Sequence, residues 1–114
     1  MSAITTHVLD TSKGRPAAGV PVVLEFRGAG HDWKVLGRGH TDADGRLKNL
    51  LPAGGRLEPG TYRLTFDTAA YFRAQNLESF YPEVSLVFTV GDAAQHYHVP
   101  LLLSPYGYTT YRGS

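Results

Sequence analysis

Gln95-His-Tyr-His-Val-Pro-Leu-Leu-Leu103 decides the fold. Side chains alternate between the two faces of a β-strand, so parity sorts this stretch. The odd positions Tyr97, Val99, Leu101 and Leu103 form one continuous apolar face, suited to a core between two packed sheets. His96, His98, Pro100 and Leu102 share the opposite face, which mixes titratable and apolar groups. An outward face of that composition suits contact with another subunit. Ser104-Pro105 then turns the chain into a final strand over Tyr106–Arg112, and the protein closes on Tyr111-Arg-Gly-Ser114.

The rest of the chain repeats the theme of short strands and tight turns. Thirteen glycines and seven prolines punctuate it at the spacing of an all-β domain. Strands are expected over Ile4–Asp10, Val20–Phe26, Trp33–Gly39, Arg46–Leu50, Thr61–Asp67 and Pro82–Val90. In Thr61–Asp67 one face carries Tyr62, Leu64 and Phe66; in Pro82–Val90 one carries Val84, Leu86, Phe88 and Val90. In the first strand Ile4, Thr6 and Val8 face one way, and Thr5, His7 and Leu9 the other. His7 thus lies on a mixed face, as His98 does. One helix is expected over Thr68–Asn76, with Thr68 as its N-cap. Trp33, Tyr71 and Phe72 are expected to pack in the core or beneath that helix. Eight strands and one helix predict a single domain over residues 1–114, a sandwich of two antiparallel sheets.

Composition removes several function classes. The 42% hydrophobic and 18% charged content is that of an ordinary globular protein, large enough for one core. Eleven basic and ten acidic residues give a net charge of +1 with no basic stripe, so nucleic acid is not expected as a partner. The absence of cysteine excludes disulfides, thiolate metal sites and cysteine nucleophiles together. Met1-Ser-Ala-Ile-Thr-Thr-His7 has neither a basic nor an apolar leader segment, and no apolar run approaches the roughly 20 residues that span a bilayer. A cytoplasmic protein without membrane contact is the expectation.

Other local patterns have structural readings. Gly28-Ala-Gly30 lacks the lysine and following helix of a phosphate loop. Asp42-Ala-Asp-Gly45 looks like part of a calcium loop but lacks the remaining ligands and closing glutamate. No Gly-X-Ser-X-Gly elbow surrounds Ser104 or Ser114. His96 and His98, with His7 as a third ligand, could hold a metal, although His-X-His without cysteine or carboxylate is a weak signal. Residue patterning by itself thus reaches a β-sandwich with a polar face suited to subunit contact, and no further.

Four segments carry a more specific message: Thr6-His-Val-Leu-Asp10, Gly14-Arg-Pro-Ala17 with Val20-Pro-Val22, Thr41-Asp-Ala-Asp-Gly-Arg46, and the C-terminal His96-Tyr-His98 with Tyr111-Arg-Gly-Ser114. Together they resemble the transthyretin-like family, and within it the 5-hydroxyisourate hydrolase branch, over nearly the whole chain. The resemblance implies a transthyretin-like sandwich of two four-stranded antiparallel sheets with one short helix. It implies a homotetramer, a dimer of dimers, with a central channel. It implies metal-independent, cofactor-free hydrolysis of 5-hydroxyisourate to 2-oxo-4-hydroxy-4-carboxy-5-ureidoimidazoline in urate degradation. The catalytic histidines and arginine of that branch carry over to His7, His98 and Arg46. The substrate-binding end carries over to Tyr111 and Ser114, with Arg46 also clamping substrate. Which histidine activates water stays open. The hormone-carrying branch lacks these histidines and this ending; a carrier without turnover is the alternative. Tyr111 and Ser114 differ by an odd number, so a regular strand sends them to opposite faces. Either the end curls over the site, or Ser114 acts from the neighbouring chain or through its terminal carboxylate.

Overall fold

A computed structural model describes residues 3–51 and 56–114. The elements are β1 (Ile4–Asp10), β2 (Arg15–Pro16), β3 (Pro21–Arg27), β4 (Lys34–His40), β5 (Arg46–Leu47), β6 (Gly60–Phe66), α1 (Thr68–Arg73), β7 (Val84–Val90), β8 (Tyr97–Ser104) and β9 (Gly107–Thr110). They form two sheets. The first runs β2-β1-β8-β9, with β5 also paired to β1; the second runs β4-β3-β6-β7. Leu101, Leu103, Ile4 and Val8 from the first sheet meet Leu24, Tyr62, Leu64, Phe66 and Val84 from the second in a common core. Each is at most 2% exposed, and burying a side chain of this size contributes about 1.5–3 kcal/mol. The two-layer sandwich and its short helix are those expected from the alternating pattern.

Three details differ from the sequence reading, each for a physical reason. First, the sheets are not wholly antiparallel. β1 and β8 run parallel, with Ile4 opposite Tyr97 and His7 opposite Pro100. The chain builds the whole second sheet between them, and only such a long connection lets neighbouring strands point the same way. Alternation reports faces and is blind to direction. Second, the outer edge of β1 is shared by two short strands, β5 at Thr6–His7 and β2 at Leu9–Asp10, so this sheet has five strands. β5 stops at Leu47 instead of Leu50. Beyond it, Leu50 turns inward, and its carbonyl comes so close to Gly37 that a Cβ there would lie 1.7 Å away.

Third, the helix is shorter and starts one residue earlier in its cap. Asp67, not Thr68, caps α1: its carboxylate accepts a hydrogen bond from the Ala70 N–H at 3.0 Å. Thr68 is buried, and its hydroxyl donates to the Tyr81 carbonyl at 3.3 Å. The helix ends at Arg73, and Asn76 sits at φ 59°, a left-handed position that asparagine tolerates. Phe72 fills the core beneath α1. Trp33 does not join it; the guanidinium groups of Arg27 and Arg63 stack on its ring, 4.7 and 4.2 Å from the ring centre. Among the described residues no helix is long and apolar enough to cross a membrane.

Candidate active site

The turn before β5 is what brings Arg46 to the site. The Asp42 carboxylate accepts from the backbone N–H groups of Asp44 (2.9 Å) and Arg46 (3.0 Å), closing the loop on itself. Those bonds, the Arg46 one foremost, hold the Asp42 carboxyl below its usual pKa, so the resemblance to a calcium loop resolves into a turn cap. Gly45 adopts φ +75°, and its carbonyl accepts from Val8 N–H at 2.7 Å. A Cβ at Gly45 would come within 2.3 Å of the Val8 carbonyl, so only glycine allows the turn to dock on β1. Arg46 then pairs directly across from His7.

On the other side of β1, Thr5 pairs with His98 and His7 with Pro100. Directly opposed residues share a sheet face. His7, Arg46 and His98, drawn from three strands far apart in sequence, therefore lie on one outward face of the first sheet. A recess of about 190 Å³ opens there, lined by Thr5, Thr6, Arg46, Lys48, His96, His98 and Ser114. His7 flanks it. Its Nε2 donates to the Asp44 carbonyl at 2.9 Å, and because a carbonyl can only accept, that nitrogen carries a proton. The lone pair of neutral His7 is thus on Nδ1.

His98 is held from two sides. Its Nδ1 lies 2.8 Å from the Thr5 hydroxyl, which also sits 3.2 Å from His96 Nε2. Its backbone carbonyl accepts from Gly113 N–H at 2.8 Å. Burial, then His7, His96 and Arg46 as positive neighbours, push the His98 pKa below the usual histidine range. His98 is accordingly neutral near pH 7, with Nε2 as the ring nitrogen left for the recess.

The tail explains the odd spacing of its two site candidates. β9 pairs with β8 from Ser104↔Gly107 to Leu101↔Thr110, and His98↔Gly113 continues the same register after a break at Tyr111–Arg112. The tail thus lies along β8. Ser114 lines the recess of its own chain, while Tyr111 turns the other way into a groove of about 470 Å³ beside Leu86, Phe88, Tyr97 and Tyr108. Arg112 stacks on Tyr97, 4.5 Å from the ring centre, and donates to the Gln95 side chain at 2.7 Å. Gly113 has no room for a side chain: a Cβ would lie 2.7 Å from His98 Cδ2. The structure brings His98, Arg46 and Ser114 to the recess, sets His7 at its margin and leaves Tyr111 apart.

The sequence reading set Thr5 beside His7 and His96 beside His98 on shared strand faces, but counted neither of them, nor Lys48, among the site residues. The signals for them were parity ones: Thr5 two residues before His7, His96 two before His98, and Lys48 two after Arg46. Among the described residues, no three histidine, aspartate or glutamate side chains are grouped to hold a metal ion.

A fold of this shape with histidines and arginine on its outer sheet face defines one class of protein. The chain belongs to the HIUase/Transthyretin family, whose model matches residues 4–113. It is 49% identical over 111 residues to the 5-hydroxyisourate hydrolase of Salmonella typhimurium, covering 97% of this chain and 80% of the relative. Among solved structures, the 5-hydroxyisourate hydrolase of Klebsiella pneumoniae superposes with a TM-score of 0.84 at 39% identity, covering 97% of this chain and 98% of that one. The transthyretin of Sparus aurata superposes with a TM-score of 0.91 at 33% identity, covering 99% and 97%. Backbone shape favours the transthyretin and sequence identity the hydrolase. The two share a scaffold, so the residues on it, not its shape, separate them.

Proposed function

We propose that this chain hydrolyses 5-hydroxyisourate, opening its ring to 2-oxo-4-hydroxy-4-carboxy-5-ureidoimidazoline. The observation that carries the reading is the convergence of His98, Arg46 and Ser114 on one recess, with His7 at its edge. Hydrolysis of a cyclic amide needs an activated water, a stabilised oxyanion and a proton for the departing nitrogen. Neutral His98 takes the water proton on Nε2 as the oxygen attacks the ring carbonyl. Arg46 offers its fork of donors to the oxyanion and the urea-like edges of the substrate. The C–N bond then breaks and the nitrogen takes up the proton. Ser114 hydrogen-bonds substrate within the recess, and His7 balances charge at its margin. No step requires a metal or a cofactor.

The recess is open on one side, and in this reading a second subunit closes it. Among the described residues, β7 pairs only with β6 and β9 only with β8, so both present edges of the kind that associate. Val87 on β7 is 58% exposed and Tyr111 beyond β9 is 56% exposed, which suits pairing across that edge. A homotetramer, a dimer of dimers, would set two outward faces of the first sheet against each other across a channel, and Tyr111, which lies outside the recess of its own chain, would reach substrate only through such an assembly. The reading covers residues 1–114 as one domain.

The alternative, a carrier without turnover, is favoured by the TM-score of 0.91 to a transthyretin. Ultraviolet decay of freshly generated 5-hydroxyisourate decides between them. The hydrolase reading expects decay faster than the spontaneous rate and insensitive to chelator. Decay at the spontaneous rate, together with saturable thyroxine binding, would establish the carrier instead.

A further inference from the structure

We propose that Thr5 and His96 are positioning residues for this hydrolysis, forming with His98 a relay that sets which nitrogen of His98 carries its proton. The proposal deepens the hydrolase reading and rests on it.

The Thr5 hydroxyl lies between two imidazoles, 2.8 Å from His98 Nδ1 and 3.2 Å from His96 Nε2. The two rings are nearly parallel, at 13° with centroids 6.5 Å apart. Thr5 is only 3% exposed, so water does not compete freely for its hydroxyl. A hydroxyl has one proton to donate, so Thr5 can donate to only one of the two rings, and a relay through it has two directions. In the first direction His98 Nδ1–H donates to Thr5, and Thr5 donates to His96 Nε2. His98 Nε2 then presents a lone pair to the recess and is a base. In the second direction His96 Nε2–H donates to Thr5, and Thr5 donates to His98 Nδ1. His98 Nε2 then carries hydrogen and is an acid. Reversing the chain converts one role into the other.

The proton balance closes over the reaction. As the water O–H bond breaks, its proton goes to His98 Nε2 and its oxygen bonds to the ring carbonyl carbon. The Nδ1 proton of His98 passes to Thr5, while the hydroxyl proton of Thr5 passes to His96 Nε2. The positive charge now rests on His96, which is more exposed than His98. That transfer is favourable because Arg46 and Lys48 already place positive charge at the recess. When the C–N bond breaks, the nitrogen takes the Nε2 proton and the relay runs back. Water has been split across the bond and every protein proton is restored. The depressed His98 pKa, caused by burial and then by His7, His96 and Arg46, agrees with a histidine that does not keep the charge.

Thr5→Val keeps the shape and removes the hydroxyl, Thr5→Ser restores it, and His96→Phe removes the far acceptor at an exposed site where folding is not at risk. The expected result is a loss in kcat of about 10- to 100-fold for Thr5→Val with KM within about twofold, and retention within about threefold for Thr5→Ser. His96→Phe should lose about tenfold in kcat and regain it with added imidazole buffer, which accepts the proton instead. In substrate-free protein, the nitrogen-15 shift of His98 Nδ1 should move in Thr5→Val and stay in Thr5→Ser. Wild-type kcat in His96→Phe without dependence on imidazole overturns the relay, and so does an unmoved Nδ1 shift in Thr5→Val. If the unaltered protein does not turn over 5-hydroxyisourate, the hydrolase reading fails by itself, while the nitrogen-15 measurement still decides the hydrogen-bonded chain.

Discussion

The two faces of β8 show how one strand serves two purposes. Tyr97, Val99, Leu101 and Leu103 point inward and are 5%, 8%, 0% and 2% exposed. Their contribution is area removed from water, which is non-directional and tolerates exchange among similar shapes. His98, Pro100 and Leu102 point outward, where the Thr5 hydroxyl holds the His98 ring and the Gly113 N–H holds the His98 backbone carbonyl. That face depends on hydrogen-bond direction and charge, which tolerate little. The inward face therefore governs whether the chain folds, and the outward face governs what the folded chain does. Substitutions on the two faces should separate cleanly in their readouts.

The largest expected effect comes from the outward face. His98→Asn should keep the fold and lower turnover by at least about tenfold, since positioned acid–base groups typically contribute about 10²–10⁴. Steady-state kinetics beside a thermal melt checks this, and near-normal turnover would remove His98 from the mechanism. On the inward face, Leu101→Ala should do the reverse. Deleting a fully buried leucine costs about 2–5 kcal/mol of stability, seen as a lowered denaturant midpoint. Whatever fraction remains folded should turn over substrate normally. A Leu101→Ala protein that is stable but inactive would mean that the two faces are coupled.

How much of this was legible in the sequence differs between the faces for the same reason. The inward face was readable because alternation is local: Tyr97, Val99, Leu101 and Leu103 announce themselves within one stretch, as do Tyr62, Leu64 and Phe66. The outward face is assembled from distant strands, and its geometry is a matter of register. That His7 stands opposite Arg46 depends on a two-residue strand and on the Gly45 turn, neither of which has a period to detect. The family resemblance named His7, Arg46 and His98, but not their arrangement. Thr5, although placed on the face of His7, was not counted as a site residue because a threonine in a strand reads as an ordinary strand former. The cap of α1 went to the wrong neighbour because Asp67 and Thr68 both offer a suitable oxygen, and only packing decides between them.

Gly113 is where the outward face can be disturbed without replacing a reacting group. Gly113→Ala puts a methyl 2.7 Å from His98 Cδ2 and 3.3 Å from both the His98 carbonyl and Pro100 Cγ. Either the ring turns or the tail lifts, taking Ser114 with it. The tail adds little to the core, so the melting temperature should stay within a few degrees. Turnover should fall by about 10- to 100-fold, as small displacements of positioned groups do. Unchanged kinetics would show that the tail does not set the pose of His98.

The smallest expected effect belongs to a residue that links the first sheet to α1, away from both faces of β8. Asp10 ends β1 fully buried, and its carboxylate accepts from Ser12, from Lys13 N–H and from the Tyr71 hydroxyl at 2.7 Å. Burial raises the Asp10 pKa, but the bonds from Ser12, Tyr71 and Lys13 outweigh it, and the net shift is downward. Burial and the bond to Asp10 push Tyr71 the other way, up to about 12. A lowered carboxyl contributes stability that is present above its unfolded value, about 3.9, and lost as pH falls through the folded one. A raised tyrosine contributes stability that is complete below about 10 and lost as pH climbs toward 12. The link therefore holds best between about pH 5 and 9. Tyr71→Phe should cost about 1.5 kcal/mol there, the worth of a hydrogen bond to a charged group. It should also remove the alkaline decline attributable to Tyr71 and move the acid loss to higher pH. Denaturant melts at pH 4, 7 and 11 measure all three, and equal destabilisation at every pH would break the link between Asp10 and Tyr71. Turnover at pH 7 should not change, because neither residue reaches the recess.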